Sequence, residues 1–206
     1  MSQPEFLYVE QPALDQLQKS KWSYLDGREL APDISNIRSS FKEVVLTPNL
    51  EQAIKRINPW ISEENLRKII REITMIQTST LMEANQWIWQ RLTQYFSVDQ
   101  DLGKGRRGQT VKLIDFDNIQ NNEFLCVNQF KVQGTIQSII PDIILFVNGL
   151  PLGVIECKSP YITDPMEAGI NQLRRYANLR NPETNEGCQK LFNYNQLMIS
   201  THRDVA

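Results

Sequence analysis

Apolar positions recur at helical spacing through the first half of the chain and give way to β-branched and aromatic runs in the second. Leu14 and Leu17 mark a first helix over about Ala13 to Lys21. Trp22 to Ala31 reads as a loop, with Asp26-Gly27 as a turn signal. A short helix within Thr47 to Arg56 follows Pro48 and stops before Pro59. Ser62 reads as an N-cap, with Glu63 and Glu64 where the positive end of the helix dipole favours acids. Leu66, Ile69, Ile70 and Ile73 form that helix's apolar face. Leu81 to Tyr95 predicts another helix, with Trp87, Ile88, Leu92 and Tyr95 inward.

The character changes near Asp101. Gly103 to Gly108 is a flexible basic loop, and Val111 to Asp115, Glu123 to Val132, Ile139 to Val147 and Leu152 to Lys158 read as strands. Asp164 is placed as an N-cap, with Pro165 at the first helical position and Glu167 at N3. The helix so opened should run to about Arg180, before Asn181-Pro182, and Leu197 to Ser200 closes as a strand. Helices followed by a sheet with a helix packed on it predict an α/β chain with a mixed central sheet flanked by helices. Residues 1–100 form its helical lobe and residues 101–206 its core.

Composition narrows the classes. A chain of 206 residues, 41% hydrophobic and 22% charged, can bury a core; a net charge of −2 argues against coating nucleic acid by bulk charge, though a local basic patch or a metal can still meet phosphate. Cys126, Cys157 and Cys188 are far apart and odd in number, which disfavours a zinc site or a disulfide framework. No signal peptide or membrane span is visible, and the expected location is the cytoplasm.

The chemistry concentrates in Pro141 to Lys158. Two apolar strands flank Asn148-Gly149, a strong hairpin signal, yet Asp142, Glu156 and Lys158 sit at their far ends, where buried charge needs a partner or a metal. Glu156 and Lys158, two apart, share a face. A strict two-residue turn would pair Val147 with Leu150 and set Asp142 against Ile155, turning Glu156 away. A bulge or a three-residue loop is therefore expected, bringing Asp142 opposite Glu156. Two such carboxylates suit one hard cation, Mg²⁺, and a lysine beside them can orient a water and add positive charge near a phosphate. The Cys157 carbonyl is a further candidate ligand, with its side chain in the core.

Pro141-Asp142, a 13-residue spacer and Glu156-Cys157-Lys158 are similar to the PD-(D/E)xK nuclease motif. With Asn128-Gln129-Phe130, Phe146 to Leu152 and Ser159-Pro160 around it, and with Tyr8-Val9-Glu10 and Leu50 to Pro59 earlier, almost the whole chain resembles the N-terminal region of type I restriction enzyme R (restriction) subunits. The resemblance implies a restriction-endonuclease-like fold and Mg²⁺-dependent cleavage of unmodified double-stranded DNA, with one metal or two. It implies partner methylation and specificity subunits, and ATP use through a motor. Gln172 and Tyr176, at i and i+4, match the family's Q-x-x-x-Y helix and would support the catalytic centre. No G-x-x-x-x-G-K-[ST] is present, so the chain reads as a fragment without the ATPase motor.

The remaining candidates have plainer readings beside them. Glu10 is either an additional acid of the site or a surface acid at a helix start. Lys104, Arg106 and Arg107, and Arg174 and Arg175, are candidate DNA contacts or solvated cations. Trp22, Trp60, Trp87 and Trp89 read as core or interface residues. His202, the sole histidine, has no assigned role. Two rivals stand: a catalytically silent DNA-binding or assembly module of the same fold, and a stand-alone repair nuclease, whose iron–sulfur members need four cysteines.

Overall fold

The structure, a computed structural model, describes residues 3–179 and 186–202. Its centre is a five-stranded mixed sheet in the order β1-β4-β7-β8-β9, formed by Ser23–Asp26, Phe124–Asn128, Ile143–Val147, Leu150–Cys157 and Leu197–Thr201. β4, β7 and β8 run antiparallel in sequence, and the outer strands β1 and β9 join parallel. The strand alternation sorts side chains to two faces. Ile143, Ile155 and Cys157 meet Val9 and Leu14 of the N-terminal helical stretch on one face, and Ile144, Phe146 and Val154 meet the larger core on the other. Burial on both faces explains why β7 and β8 are apolar throughout.

The helices are α1 (Gln3–Glu5), α2 (Gln11–Lys19), α3 (Thr47–Ile57), α4 (Glu63–Thr74), α5 (Leu81–Thr93), α6 (Pro165–Tyr176) and α7 (Gln189–Tyr194). A π-helical turn, Phe6–Glu10, joins α1 to α2, so the first helix begins earlier than Leu14 and Leu17 suggest. The Ser62 hydroxyl does cap α4, accepting from the Asn65 amide at 3.3 Å. α5 stops at Thr93 because Tyr95 takes φ 65° and turns the chain. None of the helices among the described residues is long and apolar enough to cross a membrane.

Other boundaries differ from the sequence reading. Trp22 to Ala31 is not a loop: Ser23–Asp26 pairs with β4, a hundred residues away, and a 3-10 turn follows. Arg106 and Arg107 lie in a strand. Phe96–Asp101 (β2) and Arg106–Val111 (β3) form a separate hairpin around the glycine loop, and only Val111 of the expected Val111–Asp115 strand is extended. Gln129, at φ 53°, ends β4, and Val132–Gln133 (β5) pairs with Ser138–Ile139 (β6) apart from the main sheet. Asp164 precedes α6 in a left-handed conformation, φ 49° and ψ 58°, which takes its side chain out of capping geometry. α6 ends at Tyr176; Arg180 and Asn181-Pro182, where its end was expected, lie outside the described residues. Trp89 is exposed, while Trp22 packs on Phe124 and Trp87 on Phe96.

Candidate active site

The β7–β8 hairpin sets the site's geometry. Asn148 (φ 52°) and Gly149 (φ 79°) make a two-residue turn, pairing Val147 with Leu150 and Phe146 with Pro151. The register then slips: Leu145 pairs with Gly153, and Ile143 with Ile155. This is the expected bulge, with Leu152 as the extra residue, and it carries Asp142 to the position opposite Glu156. A side chain at position 149 would reach within 2.5 Å of the Leu46 carbonyl, so glycine is required both by φ and by space.

Asp142, Glu156 and Lys158 are all buried. Asp142 Oδ2 accepts from the Cys157 amide at 2.8 Å, and its Oδ1 accepts from Gln129 Nε2 at 3.3 Å. Lys158 Nζ donates to Glu156 Oε1 at 2.6 Å and to the Cys157 carbonyl at 3.1 Å. Among the described residues no donor reaches the buried Glu156 Oε2, and the neighbouring group on that carboxyl is Asp142. Burial, and next the Asp142 charge, push the Glu156 carboxyl up to about 8 against the pull of Lys158. Burial also raises Asp142, opposed by the Cys157 amide. The Cys157 thiol is buried in the smaller core and pushed up by desolvation, while its backbone carbonyl accepts from Lys158 Nζ.

Glu10 is not a surface acid. The π-helical turn leaves Leu7 and Tyr8 exposed and buries Val9 and Glu10. Glu10 accepts from Asn128 Nδ2 at 3.2 Å and Gln129 Nε2 at 3.4 Å, and burial followed by the Asp142 charge raises it to about 7. Gln129 therefore bridges the two acids. The sequence reading gives Gln129 a place in the family resemblance but no site role, and Glu5 neither: the Ser159 amide donates to Glu5 Oε2 at 3.1 Å, and the Glu5 charge raises both Glu10 and Asp142. The available signal was the Glu5-to-Glu10 spacing of five, which a π turn uses and ordinary helical periodicity ignores.

Gln172 and Tyr176 share a face of α6, with Gln172 Nε2 donating to the Tyr176 hydroxyl at 2.6 Å. The Tyr176 hydroxyl lies 3.5 Å from the Ile140 carbonyl, two residues before Asp142, and feels the Glu156 and Asp142 charges. α6 packs on β8 and β9, where a Cβ on Gly169 would meet Ser200 Oγ at 2.1 Å and Lys158 Cγ at 3.4 Å. Arg174 and Arg175 are exposed on the same helix. Lys104, Arg106 and Arg107 are exposed on the β2–β3 hairpin. Asn148 Nδ2 donating to the Leu113 carbonyl at 2.8 Å anchors that hairpin's base beside the Asn148-Gly149 turn, at the opposite end from Asp142 and Glu156.

Among the described residues, no three His, Cys, Asp or Glu side chains are grouped so as to hold a metal ion by themselves. The donor set nevertheless fits a hard cation that retains waters: two facing carboxylates, one buried oxygen that no donor among the described residues reaches, and a backbone carbonyl beside them.

The sequence model described as "Type I restriction enzyme R protein N terminus" matches residues 2–206. The chain is 34% identical over 157 residues to the putative type I restriction enzyme MjaIXP endonuclease subunit of Methanocaldococcus jannaschii, covering 74% of this chain and 15% of that protein. It is 31% identical over 202 residues to the type I restriction enzyme HindI endonuclease subunit of Haemophilus influenzae, covering 96% of this chain and 18% of that one. The M. jannaschii MjaVIIIP endonuclease subunit is 32% identical over 199 residues, covering 94% and 17%. The chain thus spans less than a fifth of the curated relatives it matches.

Proposed function

The chain belongs to the family of type I restriction enzyme R protein N termini, and on that premise we propose that it is the endonuclease portion of a restriction subunit. Its Asp142, Glu156 and Lys158 would cleave phosphodiester bonds of unmodified double-stranded DNA with Mg²⁺. The observation that supports this most is the buried Glu156 carboxyl: Lys158 holds one oxygen, no donor among the described residues reaches the other, and Asp142 stands opposite on the bulged hairpin. A charge left so exposed to a neighbouring charge is costly in a protein interior, and a divalent cation between the carboxylates removes that cost.

Asp142, Glu156 Oε2 and the Cys157 carbonyl would hold Mg²⁺, which when bound supplies charge neutralisation at the phosphate and a more acidic water. The protein supplies the positioning. The Cys157 amide and Gln129 fix the Asp142 carboxylate, and Glu156 fixes the Lys158 ammonium. Lys158 orients the attacking water and adds positive charge where negative charge builds on the phosphate oxygens. Gln129 also holds Glu10, which adds a further negative group to the cation's surroundings. Gln172 and Tyr176 brace the α6 side of the site, and Arg174 and Arg175 extend it as phosphate contacts.

In the whole enzyme, methylation and specificity subunits would choose the DNA, and ATP would act through parts outside these residues. The direct test is nicking of supercoiled plasmid by the 206-residue chain with Mg²⁺ or Mn²⁺. Nicking by wild type that Asp142→Asn and Lys158→Ala both abolish supports the reading. Nicking that survives both substitutions overturns it.

A further inference from the structure

A cleft of about 860 Å³ opens beside the acidic site, a volume in the range of small-ligand pockets. Three of its walls are continuous with the site. Phe6 belongs to the π-helical turn that carries Glu10, Ile140 stands two residues before Asp142, and Gln129 donates to both acids. The floor is apolar, from Phe6, Ile34, Phe41 and Ile140, of which Ile34 is 69% and Ile140 43% exposed. Large apolar side chains left open in a concavity mark a binding surface.

Its polar edge is equally particular. Asn128 and Gln129 line one side: Tyr24 and Glu10 hold the Asn128 amide, and Glu10 and Asp142 hold Gln129 Nε2, which leaves the Gln129 side-chain oxygen as the acceptor there. Gly27 closes tightly behind them: a Cβ there would meet the Asn128 and Gln129 carbonyls at 2.5 Å, so this wall is preformed. Asp26 and Asp33 also line the cleft, but Asp26 is matched by Arg28 at 2.5 Å. Lys131 lies with its ammonium 4.9 Å from the Phe41 ring centre and, among the described residues, without a carboxylate within ion-pair distance. The cleft therefore offers an apolar slot, the Gln129 side-chain oxygen as an acceptor at one edge, and at the rim a cation without a carboxylate partner among the described residues.

We propose that this cleft receives an unstacked nucleotide of the DNA strand that enters the acidic site. The base lies against Phe41 and Ile140, its edge donates to the Gln129 side-chain oxygen, and Lys131 leaves the Phe41 ring for the nucleotide's phosphate. A base inside a duplex cannot present its face to such a slot, so the strand must be locally unpaired. Stacking on apolar and aromatic side chains tolerates any base, which suits a subunit that does not itself read sequence. The proposal rests on the nuclease reading and adds that the strand is distorted next to the cut.

The test is binding in EDTA, with no cleavage, of a duplex carrying 2-aminopurine in a short central bubble against the same duplex fully paired. The expected result is about tenfold tighter binding of the bubble, with quenched 2-aminopurine fluorescence. Ile34→Asp and Lys131→Glu, both at exposed positions, reduce bubble affinity to the duplex level, with thermal melts confirming that the fold is kept. Equal affinity for bubble and duplex overturns the proposal, and so does a preference that both variants retain. Free deoxyadenosine monophosphate competing as well as the bubble overturns the strand assignment. Nicking with Mg²⁺ is scored separately. Nicking without bubble preference sinks the cleft alone, whereas bubble preference without nicking sinks the nuclease reading alone.

Discussion

The backbone amide of Cys157 donates to Asp142 Oδ2 at 2.8 Å across the open end of the β7–β8 hairpin. One carboxylate is thereby tied to the strand that carries the other carboxylate and the lysine. The bond exists only because the bulge at Leu152 shifts the register by one residue. Without that shift the pleat would send Glu156 to the opposite face, so a single extra residue assembles the site.

Removing the lysine exposes how the acids are balanced. Lys158→Met leaves both Glu156 oxygens without a donor among the described residues, and removing one member of a buried pair costs about 3–5 kcal/mol. Because Glu156 can take up a proton instead, the loss is largest at pH 8 and above and smaller at pH 6. Urea unfolding at the two pH values measures this; an equal loss at both contradicts it.

The metal-free protein should lose stability as pH rises. Glu10 and Glu156 sit at about 7 and about 8 when folded, above their ordinary 4.5, so the folded state holds their protons more tightly than the unfolded chain. Their contribution is complete below about pH 4.5 and disappears as pH passes through 7 to 8. In EDTA the melting temperature falls across that window, by roughly 2–4 °C for each kcal/mol lost. Mg²⁺ at pH 8 restores much of it. A melting temperature independent of pH, or of Mg²⁺, argues against the acid pair as described.

Gly169→Ala should press α6 away from the site. The new Cβ would lie 2.1 Å from Ser200 Oγ and 3.1 Å from Ser200 Cβ, and overpacking of this kind costs about 1–3 kcal/mol. Ser200→Gly in the same protein removes both contacts and recovers most of the loss. Denaturant titrations of the single and double variants decide it; no recovery means the contact is not the cause.

Tyr176→Phe removes a hydroxyl that accepts from Gln172 at 2.6 Å while leaving the ring in place. Stability should change by about 1 kcal/mol, whereas plasmid nicking falls by more than that change can account for. An unchanged nicking rate would assign Tyr176 to packing alone.

Much of this arrangement is legible in the sequence. The unbroken apolar runs of β7 and β8 imply a buried hairpin, and the parity of Asp142 and Glu156 about Asn148-Gly149 demands a bulge or a three-residue loop, of which the structure has the bulge. Other parts left no local trace. β1 is held by parallel pairing with Leu125 to Asn128, a contact that turn signals near Asp26-Gly27 disguise. For Glu10 the sequence leaves a site acid and a surface helix-start acid both open, because its burial depends on a π turn whose period no 3.6-residue pattern reveals. Gln129 gains its bridging role only from a left-handed φ of 53° and from Glu10 arriving from the other end of the chain.

The most direct test of the metal site is calorimetric titration of Mn²⁺ into wild type and Asp142→Asn at pH 8. Wild type should show a saturable heat of Mn²⁺ binding that vanishes in Asp142→Asn while circular dichroism shows the same fold. Binding that survives the substitution unchanged, or no binding by wild type with DNA present, would contradict a cation held between Asp142 and Glu156.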